Sequence, residues 1–96
     1  MKRRVLLAPE AVKDLEELRA FDRARVKDEL AALRADPTHE GKSRVKRLRG
    51  LSRPRYRLRV GEVRVFYDVT DDAVEVLAIV AKVEAKSWLE REGKKE

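Results

Sequence analysis

Apolar positions recur along this chain with the spacing of a strand, then of two helices, then of several strands and a last helix. Arg3 to Leu7 is a short apolar run of strand character. Pro9 stops it and suits the first turn of a helix, where its missing N–H costs nothing. Behind it Val12, Leu15 and Leu18 repeat at helical spacing while Lys13, Asp14, Glu16 and Glu17 point away. Asp22 is a good N-cap for a second amphipathic helix carrying Val26, Leu30 and Leu33, which Asp36-Pro37 ends. The two helices form a hairpin. Thr38 to Arg44 is a polar loop containing Gly41. Val45-Lys46-Arg47-Leu48-Arg49-Gly50 is a basic stretch that reads either as a short edge strand or as loop.

From Tyr56 to Thr70 basic and apolar residues alternate around one Gly61-Glu62 step. Strand side chains point to opposite faces in turn, so Tyr56, Leu58 and Val60 share one face and Arg55, Arg57 and Arg59 the other. With Gly61-Glu62 as a two-residue turn, Val60 faces Val63, Arg59 faces Arg64, Leu58 faces Val65 and Arg57 faces Phe66. A second tight turn at Asp71-Asp72 leads into Ala73 to Ala81, apolar on both sides, and places Tyr67 opposite Val76, Phe66 opposite Leu77 and Arg64 opposite Ile79. In that register Leu58, Val65, Tyr67, Val76, Ala78 and Val80 bury against the helices. Arg57, Arg59, Arg64, Phe66, Leu77 and Ile79 share the other face, half basic and half apolar, a kind of surface that monomers seldom leave bare. Glu84 to Glu92 reads as a third helix with Ala85, Trp88 and Leu89 inside, ending at Gly93.

The pattern predicts an α+β domain: an N-terminal strand and helical hairpin packed on one face of a twisted antiparallel sheet of about four strands, with a short C-terminal helix. Ninety-six residues leave room for a single domain, 1–96, with a small core. The chain is 43% hydrophobic and 44% charged, so its surface is dense with ions. A net charge of +6 favours an acidic partner, nucleic acid or acidic protein. No apolar run approaches the ~20 residues that span a bilayer. The opening stretch is too short for a signal peptide, so a cytoplasmic location without a membrane partner is expected. The absence of cysteine excludes disulfides, thiolate metal sites and thiol nucleophiles. The acidic groups Glu16-Glu17, Asp71-Asp72 and Glu90 with Glu92 fall on helix faces and turns, where carboxylates serve solubility and capping, so neither metal nor small-molecule cofactor is expected. Like charges directly opposite on a sheet repel, which makes Arg59 beside Arg64 an odd choice unless an anion sits between them; the simplest anion is a phosphate.

On these residues the chain resembles the RelE/ParE superfamily of toxins from type II toxin-antitoxin modules. The resemblance rests on the layout, on Arg47-Leu48-Arg49-Gly50 and on the run from Tyr56 to Tyr67. The compact helices and arginine hairpin favour the RelE branch, whose members cut mRNA in the ribosomal A site; the ParE branch poisons DNA gyrase. The resemblance implies a toxin neutralised by a cognate antitoxin and acting on ribosome and mRNA as a metal-independent endoribonuclease. It places the basic catalytic positions on Arg57 and Arg59 and the phosphate-stabilising arginine on Arg64. Many members follow the last strand with an arginine segment and a tyrosine; here Ala81 to Leu89 holds neither, and Lys82 and Lys86 are its cations.

Metal-independent RNA cleavage needs attack by a 2′-hydroxyl on the adjacent phosphate, a base for its proton, cations for the developing charge and an acid for the leaving oxygen. Arginine stays protonated at neutral pH, so Arg57, Arg59 and Arg64 read as phosphate clamps. Lys82 is the candidate for proton exchange, because neighbouring cations and burial ease the loss of a lysine proton. Arg47, Arg49, Arg53, Arg55 and Lys86 read as RNA-backbone contacts, and Phe66 as a residue that stacks on a base or lies beneath the antitoxin. Each has a plainer reading. On that reading the arginine face is solvated and paired with Asp68 and Glu75, the remaining cations are ordinary surface charge, and His39 sits alone in a polar loop. Trp88 and Tyr67 lie on apolar faces and read as core. Two other functions stay open: a catalytically weak module that binds an antitoxin and regulates, and a gyrase inhibitor.

Overall fold

The computed structural model describes residues 2–40 and 44–96; Gly41 and the rest of 41–43 in the polar loop lie outside the described residues. The chain runs β1 (Arg4–Leu7), α1 (Pro9–Glu17), α2 (Ala20–Leu33), β2 (Val45–Arg47), β3 (Leu51–Arg53), β4 (Tyr56–Val60), β5 (Val63–Val69), β6 (Ala73–Ala81), a 3-10 turn (Lys82–Glu84), α3 (Ala85–Glu92) and β7 (Lys94–Lys95).

Pro9 opens α1 as its spacing predicts. The buried stripe, however, is Ala11 and Leu15, with Leu18 half-buried, while Val12 stays 41% exposed. Ala11, Leu15 and Leu18 are themselves at i, i+4 and i+7; Val12 stands one residue, about 100°, off that line. Helix α2 starts at Ala20 rather than at an Asp22 cap. Asp22 lies inside the first turn and accepts from Arg19 Nε and Nη2 at 3.2 and 3.1 Å. Val26, Leu30 and Leu33 are buried as the spacing requires. Arg23 locks the two helices, donating from Nη2 to the carbonyls of Leu18 at 2.6 Å and Glu16 at 3.1 Å and from Nε to that of Leu15 at 3.2 Å. Carbonyls at a helix end need such donors.

The main sheet has five strands in the order β1-β6-β5-β4-β2. It is mixed: β1 pairs parallel with β6, and the remaining pairs are antiparallel. The expected all-antiparallel sheet of about four strands thus gains one strand and one parallel edge. The helical hairpin returns the chain after β1 over the sheet face, and β6 comes in beside β1 in the same direction. Beyond the last β1 pair, α1 closes the edge of β6. Asp14 Oδ2 accepts the Ile79 N–H at 2.9 Å, taking the place of a ladder acceptor.

The β4–β5 hairpin has the expected register throughout, Arg59 facing Arg64 and Arg57 facing Phe66. Gly61 turns it at φ +58°, in the left-handed region glycine reaches without strain. Along β5–β6 the register holds from Val69–Val74 to Tyr67–Val76 and then slips by one, so Phe66 faces Ala78, Val65 faces Ile79 and Arg64 faces Val80. The slip is a bulge around Leu77, and it reassigns three residues. Ile79 joins the core against α1 and α2, whereas Ala78 and Val80, expected there, pack on the opposite face with Leu77.

The main core lies between the helical hairpin and the sheet, where Leu58, Val65, Tyr67, Val74 and Val76 are at most 1% exposed. The Tyr67 hydroxyl donates to the Pro37 carbonyl at 2.6 Å, pinning the chain after α2. Burial, then the neighbouring Tyr56 and Asp36, raise its pKa well above the usual tyrosine value, so it remains a donor. On the far face α3 covers a smaller core. Trp88 stacks on Phe66 at 5.0 Å between ring centroids and 8° between planes, with Leu48, Leu77, Val80, Ala85 and Leu89 around them. Trp88 Nε1 also donates to Glu10 Oε2 at 2.9 Å, tying α3 to the start of α1. The tail strand β7 pairs with β3 as a separate two-stranded ribbon. Among the described residues no helix is long and apolar enough to cross a membrane.

Candidate functional site

Strand alternation and the Gly61 turn bring Arg57, Arg59 and Arg64 to the sheet face that also carries α3. Their surroundings differ. Arg59 is exposed, Arg57 half-buried and Arg64 only 8% exposed. Burial first, then Arg64 and Arg59, lower the pKa of Arg57 from the usual arginine value, so the three guanidinium groups feel one another. Arginine still keeps its proton at neutral pH. Such a concentration of cations is costly without an anion and favourable with one, since charge-assisted bonds from guanidinium to phosphate are short and strong. Arg64 has a second duty: its Nη1 donates to the carbonyls of Gly61 at 2.9 Å and Val63 at 3.1 Å, bracing the hairpin turn.

Two residues beyond the sequence candidates belong to this site. Lys46 on β2 stands directly opposite Arg57 and so shares its face. The alternation Val45-Lys46, with Val45 buried, would have found it once β2 was read as a strand instead of left open. The other is Glu40. With Val45, Lys46, Arg57 and Arg59 it lines a cleft of about 430 Å³, and its Oε1 accepts the Arg47 N–H at 2.7 Å. No sequence signal singled out a glutamate in a polar loop.

The remaining candidates scatter. Lys82 follows β6, and its N–H donates to the Glu62 carbonyl at 2.8 Å, which sets it at the turn end of the hairpin beside the Arg59–Arg64 pair. Lys86 is exposed on α3. Arg47 faces Tyr56 across β2–β4 and lays its guanidinium over that ring at 5.8 Å, on the face away from Arg57. Arg49 is exposed in the turn after β2. Arg53 pairs with Asp68 at 3.7 Å, and Asp68 also accepts the Arg55 N–H at 2.7 Å. Asp68 is thereby committed to Arg53 and Arg55 rather than to the arginine cluster. Phe66 needs correction: it is wholly buried under Trp88, so no base can stack on it. His39 is exposed and lines a different cleft, with Glu29, Asp36 and Arg44. Among the described residues no group of three or more His, Asp or Glu side chains is placed to hold a metal.

A helical hairpin packed on one face of a mixed sheet is a fold shared with solved toxins. The structure is similar to a chain of the archaeal RelE–RelB complex from Pyrococcus horikoshii OT3, with 28% identity, a TM-score of 0.72, and coverage of 85% of this chain and 97% of that one. It is also similar to a mutant of the E. coli toxin RelE in the free state, with 26% identity, a TM-score of 0.70 and coverage of 91% and 90%. The YoeB dimer from Staphylococcus aureus shares the fold at 17% identity, with a TM-score of 0.66 and coverage of 83% and 97%. No curated protein sequence matches the chain. The family described as ParE toxin of type II toxin-antitoxin system, parDE, matches residues 5–84, and the chain belongs to it.

Proposed function

We propose that this toxin cuts mRNA in the ribosomal A site with its arginine face and is held inactive by a co-expressed antitoxin. The observation that carries the reading is the convergence of Arg57, Arg59 and Arg64, with Lys46 opposite Arg57, on one sheet face. Arg57, Arg59 and Lys46 hold the scissile phosphate, and Arg64 adds charge while keeping the turn in place. The 2′-oxygen attacks phosphorus, the bond to the 5′-oxygen breaks, and Lys82 at the turn end gives that oxygen its proton. Arg49, Arg53, Arg55 and Lys86, scattered over the surface beyond this centre, and Arg47 on the β2 edge are read as contacts to the RNA backbone. The toxins in two of the similar structures are RelE proteins, one of them in complex with RelB, which supports both the RelE-type activity and an antitoxin partner.

The antitoxin docks on the opposite side. Val5, Leu7, Leu15, Leu30 and Ala31 line an apolar groove of about 330 Å³ with Lys27 and Arg34 at its rim. The groove runs beside edge strand β1 and suits an amphipathic segment with acidic flanks.

The ParE description of the family supports a second reading, inhibition of DNA gyrase. Primer extension on a defined mRNA in a cell-free translation mixture, with and without ribosomes, beside a gyrase supercoiling assay, separates the two. Cuts that require ribosomes, with supercoiling unaffected, are expected. Inhibited supercoiling without cuts would transfer the function to gyrase; neither effect from folded protein would leave an antitoxin-binding regulatory module.

A further inference from the structure

We infer that Glu40 is the proton acceptor for the attacking 2′-hydroxyl, an assignment that rests on the nuclease reading and supplies the base that reading lacks. A proton acceptor must stand within hydrogen-bond reach of the group it deprotonates. The cleft beside the arginine cluster is lined by Glu40, Val45, Lys46, Arg57 and Arg59. Three of these are cations that only donate at neutral pH, and one is apolar. Among the described residues lining it, Glu40 is the one carboxylate. Three other acceptors do not line this cleft: Asp68 is engaged by Arg53 and Arg55, His39 faces the cleft with Glu29, Asp36 and Arg44, and Glu62 sits in the hairpin turn.

The Arg47 N–H holds Glu40 Oε1 at 2.7 Å, which fixes the carboxylate against the β2 edge; among the described residues its second oxygen has no donor and is the one that takes the proton. The attacking 2′-hydroxyl belongs to the ribose whose 3′-oxygen carries the scissile phosphate, so a phosphate held by Arg57, Arg59 and Lys46 would bring it into the cleft that Glu40 also lines. In the reaction the 2′-hydroxyl proton passes to the free Glu40 oxygen and the 2′-oxygen forms a bond to phosphorus. The bond from phosphorus to the 5′-oxygen breaks with its electron pair, and that oxygen takes a proton from the Lys82 ammonium. The products are a 2′,3′-cyclic phosphate and a 5′-hydroxyl; Glu40 then releases its proton to solvent and Lys82 regains one.

Glu40→Gln tests this, because the amide oxygen still accepts the Arg47 N–H while the base is gone. The variant is compared with the wild type for the single-turnover cutting rate on programmed ribosomes and for affinity to the same complex carrying a 2′-O-methyl group at the scissile position. The expected result is a loss of at least about 100-fold in cutting, with affinity equal or tighter, since a negative charge has left a phosphate site. Cutting within about threefold of wild type would overturn the assignment while leaving the nuclease reading intact. A parallel loss of affinity and rate, or a lowered melting temperature, would also overturn it, by making Glu40 structural. Absence of cutting by the folded wild type would remove the nuclease reading itself, a failure recognisable without the variant.

Discussion

Arg57 and Arg64 look alike in sequence, two arginines on one strand face, yet the structure asks different things of them. Arg64 braces the Gly61 turn with two bonds to backbone carbonyls and is buried. Arg64→Ala is therefore expected to lower stability by about 1–3 kcal/mol, through lost bonds and carbonyls left short of a donor. A cutting defect in that variant alone would be ambiguous. Arg59 is exposed and Arg57 half-buried. Arg59→Ala should leave the denaturation midpoint close to wild type, which urea unfolding checks. Asp14 gives a third residue-scale prediction. Burial raises its pKa above the usual 3.8, Glu10 and Glu17 add to this, and the bond from Ile79 opposes it. A carboxyl with a raised folded pKa contributes stability that is fully present below its unfolded pKa and lost as pH rises through the folded value. Asp14→Asn keeps an acceptor for Ile79 and should remove that dependence, so its advantage over wild type grows from acid towards neutral pH. Asp14→Ala also removes the acceptor and should be about 1–2 kcal/mol less stable than Asp14→Asn at all pH values. Urea midpoints across the acid range check both.

Helix α3 is the element that most changes the picture of the site. The alternation of β5 put Phe66 on the arginine face, and that placement is right. Alternation cannot say what lies on top of a face, and α3 roofs Phe66 with Trp88, so the apolar half of the surface is core and the basic half is the candidate site. Trp88→Ala should cost about 3–5 kcal/mol, typical of deleting a buried tryptophan, seen as a large drop in melting temperature. Glu10→Gln, which keeps the acceptor for Trp88 Nε1, should cost far less. The bulge in β6 was illegible for a related reason. Val74 to Ala81 is apolar on both faces, so a one-residue slip exchanges one apolar residue for another and leaves no mark in the pattern. The β4–β5 register was legible because charge alternates with apolar residues and the glycine fixes the turn.

At the scale of the molecule, the helical hairpin, the three central strands, the last helix and the arginine face followed from residue order, since each has a periodic signature. The parallel β1–β6 pair and the β3–β7 ribbon did not, because four-residue and two-residue strands carry too little pattern to show their partners. Glu40 and Lys46 reached the site through tertiary placement of a loop and an edge strand. The net charge of +6 sits on a chain with a distinct cationic centre. RNA affinity should accordingly fall with salt, and Lys46→Ala should reduce the slope of log affinity against log salt by about one, measured by titration of a non-cleavable RNA. A slope unchanged by that variant would take Lys46 out of the phosphate contacts.

In the proposed function, cutting belongs to the arginine face. Primer extension on a defined mRNA with translating ribosomes, comparing wild type with the Arg57→Ala, Arg59→Ala double variant matched for melting temperature, tests it most directly. Ribosome-dependent cuts in the wild type that weaken at least about 100-fold in the variant are the predicted result. Equal cutting by both proteins would contradict it, and the chemistry would have to be sought on another surface of the same fold.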